Sequence, residues 1–229
     1  MTKAIALVIG AACTISAASA SAQTATDRPI RQIEVTFGAG LLGGTGLGGA
    51  DANLRGNTSS RQPFTLFATS SDVGRAPMWH ARVAFSLTRR LVLEGSLARS
   101  NPEVRVATTA DIEGAAPMTI AEAVDQYFID AGVLVMLDEL RIGRQAVPFV
   151  AAGAGYLRQL HEGQTLVEQG EVYHAGGGIK YWLLARKVGA VRTAGLRGDA
   201  AVYFLRRGIS FDGSMKSHVA ISGGAFVGF

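Results

Sequence analysis

Apolar and polar residues alternate with a period of two along most of the chain. In the last stretch Val219, Ile221, Gly223, Ala225, Val227 and Phe229 share one parity, while His218, Ala220, Ser222, Gly224, Phe226 and Gly228 share the other. Residues 78–88 set Trp79, Val83, Phe85 and Leu87 against His80, Arg82, Ser86 and Thr88. A two-residue period places successive side chains on opposite faces of a strand. Eight such segments occur, at 33–42, 78–88, 91–100, 126–137, 146–157, 171–183, 195–205 and 217–229. Each has about the ten residues that a tilted strand needs to cross a bilayer.

The connections carry as much information as the strands. Long gaps follow the first, third, fifth and seventh segments, at 43–77, 101–125, 158–170 and 206–216. Short ones, 89–90 and 138–145, follow the second and fourth, and 184–194 is intermediate. Alternating long and short links suit an up-and-down meander with one rim outside and the other in the periplasm. The predicted fold is all-β: an eight-stranded antiparallel up-and-down transmembrane β-barrel. No run of 18 apolar residues follows residue 22, so no membrane-spanning helix is predicted there.

One face of these strands is apolar, and the other mixes glycine, alanine and charge. A soluble lipocalin-like barrel would turn the apolar face inward, around small apolar ligands. A solvated outer face would then be rich in Lys and Glu, which the polar parity here is not. The start of the chain favours the inverse arrangement. Lys3, the apolar stretch "AIALVIGAACTIS" and the small-residue site Ala20-Ser21-Ala22 form a secretory signal over 1–22, leaving 23–229 as a single barrel domain. The expectation is a bacterial outer membrane of Gram-negative type, reached after cleavage near Ala22-Gln23.

Composition narrows the function. Glycine reaches 29 residues and charged residues only 17%, against a usual charged share of about 25%. The one cysteine, Cys13, lies in the signal, so no disulfide or thiol chemistry is expected of the mature chain. The formal net charge of +4 is spread without a basic block, which predicts no nucleic-acid partner and at most an attraction to anionic lipid head groups.

Gly38-Ala-Gly40-Leu-Leu-Gly43 fits the G-x-G-x-x-G spacing of a dinucleotide loop. That loop requires a helix directly after the glycines, whose N-terminus faces the phosphates. Here "TGLGGADANLRGNTSSRQP" follows, without a helical period, so the glycines are read as inward positions of a crowded lumen. Gly43 to Gly49 is expected to open a mobile loop, and the rest of that gap to be surface loop.

"HAGGGIKYWL", "GLRGDAAVYFL" and the closing "AISGGAFVGF" resemble the small eight-stranded outer-membrane barrels of the outer-membrane-protein-A type, as does "VPFVAAGAGY" at 147–156. The resemblance covers the mature chain, more firmly from Tyr127 onward, and marks a barrel type rather than an activity. It implies outer-membrane lipid as the surroundings and a monomer. Phe229 with Phe226 is similar to the signal that the barrel-insertion machinery reads during biogenesis. No peptidoglycan-binding domain follows the barrel, so wall attachment is not implied.

The inward parity collects Glu34, Arg82, Glu94, Asp130, Lys180, Arg197 and Asp199, together with His174 and His218. Charges facing a low-dielectric lumen have to pair, and eight strands leave little more room than side chains fill. The expected network is a salt-bridged plug, with a selectivity filter or gate as the alternative. His80, His161, His174 and His218 show no metal-ligand or Ser–His spacing, so neither a cofactor nor an enzyme is expected. Trp79, Tyr127, Tyr156, Tyr173, Tyr181 and Phe229 fall near segment ends on the outward parity, as interfacial rings do. Trp182 falls on the inward parity. Thr119 to Glu122 matches a capping box, which would give one helical turn in the second long gap; otherwise the fourth strand extends above the membrane. The leading functional expectation is a structural or surface-interaction protein; a narrow ion or small-solute channel and a soluble lipocalin-like binder are the alternatives.

Overall fold

The structure is a computed structural model, and it describes residues 32–55, 63–109, 116–143, 145–161, 165–186, 188–209 and 214–229. The expected signal at 1–22 lies outside the described residues. In chain order the strands are β1 (Ile33–Leu42), β2 (Thr45–Gly48), β3 (Asp51–Arg55), β4 (Pro63–Val73), β5 (Ala76–Ser86), β6 (Leu91–Ser100), β7 (Glu103–Thr109), β8 (Met118–Ala123), β9 (Asp125–Met136), β10 (Ala146–His161), β11 (Leu166–Ala185), β12 (Thr193–Arg207) and β13 (Lys216–Gly228).

Eight of these close an antiparallel barrel in the order β1-β13-β12-β11-β10-β9-β6-β5, with β5 returning to β1. They correspond one to one to the eight alternating segments, and β1 and β6 have the predicted bounds. Closure leaves no free edge, so every wall strand finds hydrogen-bonding partners on both sides. A row of opposed residues climbs as it circles the wall. From Val35 it runs through Val83, Gly95, Ala131, Ala154, Tyr173 and Phe204 to Ser217, reaching β1 about ten residues higher than it began, the stagger of a strongly tilted barrel.

Side-chain direction decides the environment. Val83 is 56% exposed and Ile221 64%, whereas Arg82 is 7% and Arg197 4% exposed. The apolar parity therefore faces out, along with Phe37, Leu97, Ile129 and Leu196, and the charged parity faces in. Water would penalise so large an apolar outer band, far beyond the patches of a few hundred Å² usual on soluble proteins. This excludes the lipocalin-like arrangement.

The short and long links differ for local reasons. At the tight end of β5, Thr88 Oγ1 accepts hydrogen bonds from Arg90 N (3.2 Å) and Leu91 N (2.9 Å), which turns the chain in a few residues. Between β9 and β10 a single 3-10 turn covers Asp138–Leu140.

On the opposite rim the described residues of the first two long gaps are largely strands: in the first this corrects the loop reading, and in the second it meets the alternative that the fourth strand extends above the membrane. β2, β4, β7 and β8 form a second sheet in that order, with β3 on β4. These strands prolong β1, β5, β6 and β9 past a line of breaks at Gly43-Gly44, Gly74-Arg75, Asn101-Pro102 and Val124. Glycine permits the bend and proline lacks the N–H that would continue the ladder. Gly43 N donates to Val219 O (2.7 Å), Gly74 N to Glu103 O (2.8 Å) and Val124 N to Pro102 O (2.9 Å), so the kinked backbone stays paired. The helical turn expected at Thr119 to Glu122 is instead part of β8, opposite β7 from Glu103↔Ala123 to Thr108↔Met118. Pairing with β7 offers those residues a full ladder, which outweighs one capping box.

Candidate functional site

The lumen is the place where the barrel gathers chemistry. At its middle Arg82 Nη1 donates to Asp199 Oδ2 (2.8 Å), and Arg197 Nε donates to Asp199 Oδ1 (2.8 Å). Arg197 also forks onto Glu94, Nη1 donating to Oε2 and Nη2 to Oε1 (3.1 Å). Arg82 Nε stands 3.9 Å from Glu94 Oε1, which closes a four-membered ring of charge: Arg82, Glu94, Arg197 and Asp199. Two-pronged guanidinium–carboxylate contacts are the strong form of the ion pair, and they fix orientation as well as charge.

Two further groups flank the ring. Asp130 accepts from Ser96 Oγ (2.7 Å) and lies 3.5 Å from His174 Nε2, and His174 stacks on Tyr203 with centroids 5.4 Å apart. Nearer the short-link rim Lys180 Nζ donates to Glu34 Oε1 and sits 5.2 Å from the Phe226 ring. The structure thus brings the seven charged residues into three groups: the ring, Asp130 with His174, and Glu34 with Lys180. Of the other histidines, His218 Nδ1 donates to Gly43 O (2.8 Å). His80 is 1% exposed, and neither ring nitrogen has a hydrogen-bond partner among the described residues. Among the described residues no group of three or more His, Cys, Asp and Glu is arranged to hold a metal ion.

Sequence reasoning missed the apolar part of the lumen. On the long-link side Leu42, Met78, Phe128, Leu157, Val172 and Leu205 form one buried cluster. On the short-link side Val92, Leu134, Met136, Val147 and Phe149 form another, with Trp182 packed against it. Trp182 does point inward, 5.7 Å edge-on from Phe226, just before the register slips between Trp182 and Leu184. A signal was present: "FIDAGVLVM" in β9 carries apolar residues on both parities, the mark of a strand buried on both faces. The arrangement is layered: apolar, charged, apolar. Arg197 joins two of the layers, its Cζ 4.7 Å from the Phe149 ring centroid.

Among the described residues two small cavities lie in the lumen. A cavity of about 30 Å³ lies among Arg82, Glu94, Ser96, His174, Asp199 and Tyr203, room for about one water molecule. A second, about 20 Å³, adjoins Glu34, Lys180 and Trp182. Glycines permit this crowding. A Cβ on Gly38 would meet Gly223 O, His80 Nε2 at 2.7 Å and Gly224 Cα at 2.8 Å, where β1 closes on β13.

Of the two terminal aromatics, Phe226 is 1% exposed inside the barrel and Phe229 is 48% exposed outside it, so they stand on opposite faces. Trp79, Tyr156, Tyr173 and Tyr181 are all exposed on the outer wall.

No protein-family profile matches the chain, and no curated protein matches it in sequence. Solved structures do match in shape. The crystal structure of the outer membrane protein OprG from Pseudomonas aeruginosa aligns over 90% of this chain and 99% of its own, with a TM-score of 0.53 and 12% identity. Its fold is that of a small eight-stranded outer-membrane β-barrel. Ail, the attachment invasion locus protein of Yersinia pestis, solved in complex with the heparin analogue sucrose octasulfate, aligns at 11% identity over 86% of this chain and 99% of its own, TM-score 0.41. The N-terminal β-barrel domain of Pseudomonas aeruginosa OprF aligns at 11% identity over 88% of this chain and 100% of its own, TM-score 0.38. At these identities the likeness concerns the fold.

Proposed function

We propose that this chain is a monomeric outer-membrane protein of structural or surface-interaction type. Its barrel holds the sheet of β2, β3, β4, β7 and β8 outside the cell, and its lumen is a plug rather than a path for solutes. The observation that carries this reading is the layering of the lumen inside an apolar outer wall. Phe128 and Val172 in one apolar layer, Leu134 and Val147 in the other, and Arg197 between them are all 4% exposed or less. A conducting lumen would keep such groups wet, as the polar interior of a porin does. With the lumen filled, what the protein offers the outside is its raised sheet. The terminal Phe229, on the lipid face, is the residue on which recognition by the insertion machinery rests.

The test joins location to conduction. The processed protein should partition with outer-membrane fractions and migrate faster on a detergent gel unboiled than boiled. In planar bilayers it should give no resolved single-channel steps. Reproducible steps from a folded preparation would replace the plug by the narrow channel, and release from membranes by salt alone would remove the membrane reading altogether.

A further inference from the structure

The short-link rim, which the proposed orientation turns to the periplasm, is strongly basic. Its links at 87–90, 137–145 and 186–192 hold seven Arg and Lys residues and two acids, more positive charge than the net +4 of the whole chain. Scattered in sequence, these cations are gathered by the fold. Both acids are answered within the rim: Arg90 Nη2 donates to Glu139 Oε1 (2.8 Å) and Arg141 Nη2 to Asp138 Oδ1 (3.3 Å). Past Ala185 and Thr193, the last opposed residues of β11 and β12, Arg186 N donates to Arg192 O (2.7 Å). Two arginines thus stand opposite each other at the neck of this hairpin, and neither has an acidic partner among the described residues. Like charges placed opposite each other repel, so an anion between them is favoured.

The hairpin reaches past the lipid. Tyr181, exposed on the outer wall, is opposed to Leu196, and Arg192 lies four residues beyond Leu196 toward the rim. That is about 13 Å along a strand, or about 10 Å in depth at a tilt of about 40°. Head groups add about 5–8 Å outside the hydrocarbon, so with the Tyr181 ring at that boundary the two arginines stand in water. The tip carries apolar surface as well. Val188 is 85% exposed, the highest value of any large apolar residue described. On the neighbouring link Leu140 is 62% and Ile142 64% exposed. That link leans on β11, where Trp182 N donates to Gln145 O (3.0 Å).

We infer that this rim docks an acidic, amphipathic polypeptide segment of a periplasmic protein. Its carboxylates accept from Arg186 and Arg192, and its apolar residues cover Val188 and Ile142. Guanidinium forks match carboxylate oxygens in pairs. Covering Val188 and Ile142 takes from water an apolar surface that the bilayer does not reach. Phospholipid head groups would have to extend below their own layer to meet the arginines, and would still leave Val188 wet. A carbohydrate wall polymer would bring carboxylates with little apolar surface to match. This inference rests on the membrane-barrel reading above.

Binding to the folded, full-length mature protein in phosphatidylcholine nanodiscs is measured by fluorescence anisotropy, after a detergent gel has confirmed the heat-dependent shift. Binding to empty discs is subtracted. The probes are synthetic peptides of alternating Glu and Leu, Glu and Ser, or Lys and Leu. The Glu–Leu peptide should bind at least about tenfold more tightly than the other two, the scale of one or two charge-assisted hydrogen bonds or a buried side chain. The double variant Arg186→Gln, Arg192→Gln should weaken it about tenfold or more, and Val188→Ser about threefold or more. Arg105→Gln, on β7 of the raised sheet, should keep wild-type affinity. A folded double variant within twofold of wild type, or equal binding of the Glu–Ser peptide, overturns the docking surface. Loss of peptide binding in phosphatidylglycerol discs overturns it in favour of lipid head groups. Silence of the Glu–Leu peptide, with arginine-dependent sedimentation on purified peptidoglycan, overturns it in favour of the wall. Each of these leaves the membrane barrel standing. A wild-type protein without the heat-dependent shift counts against both.

Discussion

Arg197 grips Glu94 with both terminal guanidinium nitrogens while its Nε donates to Asp199, so one cation in the barrel centre satisfies two acids on different strands. Removing it strands two carboxylates out of water, with Arg82 their one remaining partner within the ring. Breaking a buried pair from one side costs about 3–5 kcal/mol, because a charge is left uncompensated. Arg197→Met should therefore lower barrel stability on that scale in urea unfolding from micelles. Adding Glu94→Gln should restore part of the loss. Unchanged unfolding in the single variant would mean that the ring contributes nothing net.

Two glycines make a contrasting pair. Gly38 sits where β1 meets β13, and a methyl there runs into His80 Nε2 and two backbone atoms. Gly198 in β12 has no atom within 4 Å of the same methyl. Overpacking costs about 1–3 kcal/mol, whereas a strand glycine in open space gains slightly from a side chain. Gly38→Ala should destabilise the barrel and Gly198→Ala should not. Equal midpoints in urea for the two variants would refute the close approach at the β1–β13 seam.

Val83 lies midway along the outward face of β5, between Trp79 near one rim and Leu87 near the other. If that wall meets hydrocarbon, Val83→Arg should cost about 2–4 kcal/mol, while the same charge at Ser217, outward near the upper rim, should cost about 0–1. Refolding into liposomes with urea as the variable measures both. A soluble protein would tolerate arginine equally well at either place.

The sequence was most legible where one face met lipid. Val83, Val202 and Ile221 alternate with Arg82, Tyr203 and Ser222, and a period of two with one greasy parity leaves a single consistent register. The seven charged positions were legible for the same reason, although which acid meets which base depends on the stagger of the barrel, and no single strand carries that information. Glu94 and Arg197 are 103 residues apart and meet across the lumen. The raised sheet was illegible for a different reason, apart from β8, which the extension of the fourth strand above the membrane anticipated. β4 reads "PFTLFATSSDV", with polar and apolar residues on both parities, because its surroundings change from barrel mouth to open water along its length. Gly74 and Pro102 looked like loop residues, yet they mark hinges between strands that continue on both sides.

The two apolar layers make a prediction about conduction that differs from that of a single gate. Phe128 belongs to the layer nearer the raised sheet and Phe149 to the layer nearer the short links, with the charged ring between them. Barriers in series must all be wet before ions pass, so opening one layer should leave the barrel silent. Truncation to alanine is the wrong tool, because an apolar void of that size stays dry. Serine gives water a partner as well as space. Phe128→Ser and Phe149→Ser should each remain silent in planar bilayers, and the double variant should conduct in small steps. Each preparation is first shown to be folded by its heat-dependent gel shift, since losing a buried phenylalanine costs about 3–5 kcal/mol. Steps from Phe128→Ser alone would show that the inner layer is already permeable and that the outer cluster is the only barrier.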